Sequence, residues 1–166
     1  MNAATAIAFI IILAFIGEGY RKGLIMTIFA IIKSIIGAVI AAMICSSFAG
    51  VIPPHLSSIQ PILFISIIGL VLGIIRVVMN LFNLVDKIPV AKQINRLAGL
   101  AAGLLHGIII IWILLVFLTY VGDTEWGTAI IGIVKESDFL KFMNEMNPIR
   151  QFAGMSPIAI EMAMKN

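Results

Sequence analysis

Four long apolar runs constrain this chain more than anything else in it. The first is Ala3–Ile16, which can draw on Gly17–Tyr20 to lengthen itself. The second is Leu24–Met43, interrupted only by Lys33 and Ser34. The third is Ile62–Leu84, carrying Arg76 and Asn80, and the fourth is Leu97–Val121, broken by His106. Runs near 20 residues match the hydrocarbon thickness of a bilayer. In lipid every backbone amide must be paired inside its own segment, so such runs are helices. The strict alternation of a barrel strand is absent. The expected fold class is therefore all-α: a polytopic membrane protein with about four transmembrane helices.

Composition agrees. The chain is 61% hydrophobic and only 11% charged, whereas soluble domains are about a quarter charged. A surface so poor in charge belongs in a lipid bilayer. The net charge of +3 does not point to nucleic acid, because no long basic tract occurs and the aromatics lie in apolar runs. The first run has no basic residue ahead of it, and Arg21 and Lys22 follow it. That order predicts an uncleaved helix rather than a signal peptide. Cys45 cannot form an intrachain disulfide and reads as a small packing residue.

The expected organisation is a transmembrane domain over 1–121 with spans of about 3–20, 24–43, 62–84 and 97–121, then a segment over 122–166. Between spans two and three, Pro53, Pro54 and the serines around His55 mark a loop. After Val121 charge returns. Ser137 suits an N-cap for a helix over Asp138–Met146, with Asp138 at its positive start. Phe139, Phe142, Met143 and Met146 recur at helical spacing. This predicts a short amphipathic helix at the membrane surface or against the bundle.

Orientation follows from the loops. Arg21 and Lys22 join spans one and two, and Lys87, Lys92 and Arg96 lie between spans three and four. The loop between spans two and three has no Lys or Arg. Basic loops prefer the cytoplasm, so both termini are expected outside it, with Tyr120 and Trp126 at the outer interface.

Two features inside the spans stand out. Gly99, Gly103 and Gly107 form a doubled GxxxG in span four, and Gly69 and Gly73 share that spacing in span three. Such glycines let another backbone approach closely, within the chain or from a second copy. Lys33, Arg76 and His106 are expected at one depth, roughly 12–14 Å from the basic helix ends, with Asn80 a turn nearer. They form either a cationic layer for an anion or snorkelling side chains beside a hydrogen-bonded imidazole. Glu18 and Asp86 are the carboxylates on that side.

No HExxH, CxxC, GxxxxGK or GxSxG occurs. Ser46, Ser47, Ser57 and Ser58 lie near His55 without an acid to orient it. We therefore expect no enzyme active site, no metal and no cofactor.

In order along the chain, Gly19-Tyr20-Arg21-Lys22-Gly23, Asn95-Arg96-Leu97-Ala98-Gly99 with Gly103 and His106-Gly107, and Glu136-Ser137-Asp138-Phe139-Leu140 with Asn147-Pro148 resemble the colicin V production protein family. The resemblance implies a small multi-pass protein of the bacterial inner membrane. It implies a part in bacteriocin production or export and in envelope maintenance, and it carries over no catalytic residues. It would place an acidic residue where Thr5 stands and a basic one where His106 stands. The functions expected are a membrane scaffold or interaction protein or, from another class, a small oligomeric channel or transport component. The expected partners are the lipid bilayer and either further copies or other membrane proteins, with no nucleic acid.

Overall fold

A computed structural model describes residues 2–48, 59–81, 92–122 and 124–152. Among these residues the chain forms seven helices and no strand: α1 (Ala3–Lys22), α2 (Leu24–Phe48), α3 (Ile59–Leu81), α4 (Lys92–Val121), α5 (Glu125–Lys135), α6 (Asp138–Glu145) and α7 (Pro148–Phe152). The first four are long and apolar enough to cross a membrane, and the protein is a multi-pass membrane protein of the all-α class.

Local chemistry sets the helix ends. Asn2 caps α1 by accepting from the Thr5 amide at 3.0 Å. Gly23 ends α1 at a φ of 81°, a backbone region that glycine adopts without strain, and its amide donates to the Gly19 carbonyl. Leu24 then opens α2 at once, so the expected basic loop is a single residue. Ser46 and Ser47 lie beyond the expected end of span two at Met43, yet they remain helical. Their hydroxyls donate to the Met43 carbonyl at 2.9 and 2.8 Å, a helical pattern for serine, and α2 runs on to Phe48. Pro61 falls in the first turn of α3, where a missing amide proton leaves no helical bond unmade. The polar residues 92–96 lengthen α4 beyond the apolar run. The loop around His55, the linker with Asp86 and Lys87, Asp123, the Trp126 side chain and the tail 153–166 lie outside the described residues.

Three registers define the bundle. α1 runs antiparallel to α4, with Gly19 beside Gly99, Phe15 beside Gly103 and Ile12 beside Gly107. α2 runs parallel to α4, with Ser34 bonded to His106 and Ala42 to Tyr120. α3 returns along α2, with Leu72 against Gly37. Tyr120, expected at an interface, is buried, and its hydroxyl donates to the Ala42 carbonyl at 3.0 Å.

Two apolar clusters fill the bundle. One joins Ala38, Ala41, Ala42 and Cys45 of α2 to Phe64, Val116, Tyr120 and Ile149. The other joins Ala8 and Ile12 of α1 to Ile111, Leu115, Val134, Leu140 and Met143. Trp112 packs against both.

α1 has 20 residues and α4 has 30, about 30 and 45 Å of helix. By their register, the start of α1 falls level with about Leu115 of α4, two turns short of its end. α5, α6 and α7 occupy the space this leaves. Asn2 donates to the Ile133 carbonyl at 2.6 Å. The Thr5 and Ser137 hydroxyls pair at 2.7 Å, and Phe9 stacks on Phe139 at 5.1 Å.

Candidate functional site

The polar layer is the first candidate. His106 is buried on α4. Its Nε2 lies 3.1 Å from the Ser34 hydroxyl, and the Phe15 ring meets the imidazole edge-on at 4.6 Å. Because Ile12 and Phe15 flank it, His106 lies level with the middle of α1. Lys33 adjoins Ser34 and is half-buried, and the antiparallel register of α2 and α3 sets Arg76 level with it. The three residues thus share a level by register, although along their own helices Arg76 lies about 8 Å from the described end of α3 and His106 about 21 Å from the start of α4.

Their surroundings differ. His106 is held inside, between α1 and α2. Arg76 is exposed on α3, and among the described residues it makes no hydrogen bond or ion pair. The Asn80 side chain lies outside the described residues. Glu18 is paired with Lys22 one turn along α1, so its charge is engaged at the basic end. Within one chain, then, His106 and Ser34 meet and Arg76 stands apart. A cation at this depth costs about 2.5–3.5 kcal/mol on insertion scales unless it is paired or reaches water. Among the described residues, no group of three His, Cys, Asp or Glu could hold a metal ion.

The two glycine faces also part company. A side chain at Gly103 would meet the Phe15 carbonyl and lie 2.9 Å from Ile16 Cα, and one at Gly107 would lie 2.9 Å from Ile12 Cα. At Gly99 it would meet the Gly19 carbonyl and lie 2.9 Å from Gly23 Cα. Gly19 and Gly23 repeat the four-residue spacing, a signal that sequence reading left unused. They form the reciprocal half of the α1–α4 contact. Among the described residues, a side chain at Gly69 or Gly73 would meet nothing within 4 Å. They look outward from α3, on the stripe that carries Arg76.

A second polar cluster escaped sequence reading. Arg150 of α7 is buried, and its Nη1 donates to Asn144 Oδ1 at 3.1 Å. Asn147 donates to the Trp112 carbonyl at 2.9 Å, and its own carbonyl oxygen accepts from the Ile149 amide at 3.1 Å. One asparagine therefore opens α7 and ties it to the middle of α4. Ser137 caps α6 as expected, accepting from the Leu140 amide at 3.2 Å. The expected apolar residues of α6 divide between the bundle and its outer side. Leu140, Met143 and Asn144 face inward, while Phe142 and Met146 are 57% and 58% exposed. Apolar periodicity does not anticipate Asn144 on the inward side, where it receives Arg150. Thr5, where the resemblance suggested an acid, instead bonds Ser137 and Asn2.

No curated protein and no solved structure matches the chain. The sequence pattern of the colicin V production protein matches residues 4–148, which takes in all four spans, α5, α6 and the Asn147-Pro148 junction. The chain belongs to the colicin V production protein family.

Proposed function

We propose that this protein is a non-enzymatic scaffold of the bacterial inner membrane that supports colicin V-type bacteriocin production or export and envelope homeostasis by docking other membrane proteins. The observation that carries this reading is the face of α3. Its glycines are open and its Arg76 is exposed, while the glycines of α4 are occupied within the chain. The basic end, with Arg21, Lys22 and Arg96, faces the cytoplasm on this reading, and α5–α7 face away from it.

A second reading draws on the shared depth of Lys33, Arg76 and His106. In it several copies form a small channel, with Arg76 turned to the pore of the oligomer.

The test is toxin secretion by a producing strain that depends on this chain. Gly73→Leu adds bulk in open space, so the fold stays intact while docking is blocked and secretion falls severalfold. Wild-type secretion from a membrane-inserted Gly73→Leu protein removes the scaffold reading. Anion conductance in planar bilayers, lost on Arg76→Leu, would replace it with the channel. For orientation, Arg21→Cys and Glu145→Cys in a Cys45→Ala background should label from opposite sides, Glu145→Cys from outside the cell. Outside labelling of Arg21→Cys reverses the assignment.

A further inference from the structure

Resting on the scaffold reading, we infer that the outward face of α3 receives a transmembrane helix that carries a carboxylate, and that Arg76 pairs with that carboxylate.

The face is continuous. Ser66, Gly69, Gly73 and Arg76 are all exposed, and their spacing of three, four and three residues keeps them on one side of the helix. Open space at both glycines admits a neighbouring backbone, as small residues do between membrane helices. Space alone would suit any helix. Arg76 narrows the choice. Its guanidinium stands on the same stripe, level with Lys33 of α2 by the register of the two helices and five residues before the described end of α3. Among the described residues no carboxylate reaches it, and Glu18 is taken by Lys22. Lys33, at the same depth on the adjoining α2, adds positive field rather than cancelling it. The complement of this surface is therefore a small-residue helix with one Asp or Glu at the level of Arg76, which can accept two parallel guanidinium hydrogen bonds.

A second copy is the poorer occupant. Copies in one membrane share an orientation, so a twofold contact through Gly69 and Gly73 would bring Arg76 against Arg76.

The test uses the full chain in phosphatidylcholine vesicles, labelled at Glu145→Cys in the Cys45→Ala background. The probe is a leucine-based single-pass peptide with a central glutamate and a glycine four residues to either side, which serves either orientation. Energy transfer should show it binding about tenfold more tightly than its glutamine counterpart. Arg76→Glu should reverse the preference towards a lysine peptide. Gly73→Leu should abolish binding at an unchanged melting temperature. Equal binding of the glutamate and glutamine peptides overturns the inference, as does a glutamate preference that survives Arg76→Leu. Loss of the preference when phosphatidylglycerol is added assigns Arg76 to lipid phosphate and also overturns it. Displacement of the peptide by unlabelled copies of the chain gives the face to self-association, with the same consequence. Secretion separates the two levels of the argument. Gly73→Leu that blocks secretion without any peptide preference leaves the scaffold standing and removes the acidic partner. Gly73→Leu that secretes normally removes the scaffold itself.

Discussion

α4 and α3 carry the same glycine spacing and meet opposite fates. The glycines of α4 lie against α1 so closely that an added Cβ would strike backbone. Those of α3 face open space among the described residues. The difference arises in the opposing helix. α1 offers Gly19 and Gly23 in matching register, so two flat surfaces meet. α2, the neighbour of α3, offers Gly37, which is filled by the Leu72 side chain. A GxxxG motif therefore marks a surface that can be approached, and the sequence facing it decides whether it is. Hydrogen bonding follows the same division. The α1–α4 side is tied to α5–α7 by Asn2, Thr5, Ser137 and Asn147, whereas among the described residues no α3 side chain makes a hydrogen bond.

The largest effect is expected at the closed contact. Gly103→Leu would drive a branched side chain into the Phe15 carbonyl, which cannot move without unwinding α1. Overpacking of this kind costs about 1–3 kcal/mol and at times more, and here the obstacle is backbone. The variant should lose its cooperative melt in detergent; a wild-type melting temperature would dissolve the contrast between the faces. Next comes Asn147→Ala. It strips the bond to Trp112 and the cap of α7 together, for a loss of about 1–3 kcal/mol. Hydrogen exchange should rise in α6 and α7 while α2 and α3 stay protected, and uniform exchange would show that the cap is not separately held. Ser137→Ala is smaller, about 1 kcal/mol, and combining it with Thr5→Val, which alone also loses the bond to Asn2, should cost less than the sum of the two because the hydroxyls share one bond. A fully additive double variant would mean that the bond contributes nothing. The smallest effect belongs to the open face. Gly73→Leu should leave the melting temperature unchanged or slightly raised, since leucine favours helix over glycine and meets no neighbour. A marked drop would reveal a contact on α3.

How far the sequence reaches can be judged from particular residues. The four spans were legible because lipid enforces long apolar runs, and Ser137 was legible as a cap because capping is local. The common level of Lys33, Arg76 and His106 follows from helix register, since their distances from their own helix ends differ. Their facing was not legible, since it depends on which helices are neighbours. The pairing of Gly99, Gly103 and Gly107 with Gly19 and Gly23 joins the two ends of the transmembrane domain, beyond any local pattern. Arg150 was hidden for a related reason. Its acceptor Asn144 lies on the preceding helix, and only the turn at Asn147-Pro148 brings them together. α6 was read from its apolar residues, and its inward face contains a polar one.

The shortness of α1 has a consequence for the order in which this protein can be completed. Asn2 and Thr5 stand at the start of the first span, yet their partners at Ile133 and Ser137 lie 131 and 132 residues further along the chain. At about 5–20 residues per second, the ribosome needs on the order of ten seconds to supply them. Through that interval Asn2 and Thr5 have each other as partners, and their contacts to the segment after α4 wait for residues 133–137. Completion of the bundle is thereby tied to completion of the chain. A chain halted before Ser137 would hold its four long helices without the contacts that join the start of α1 to the segment after α4.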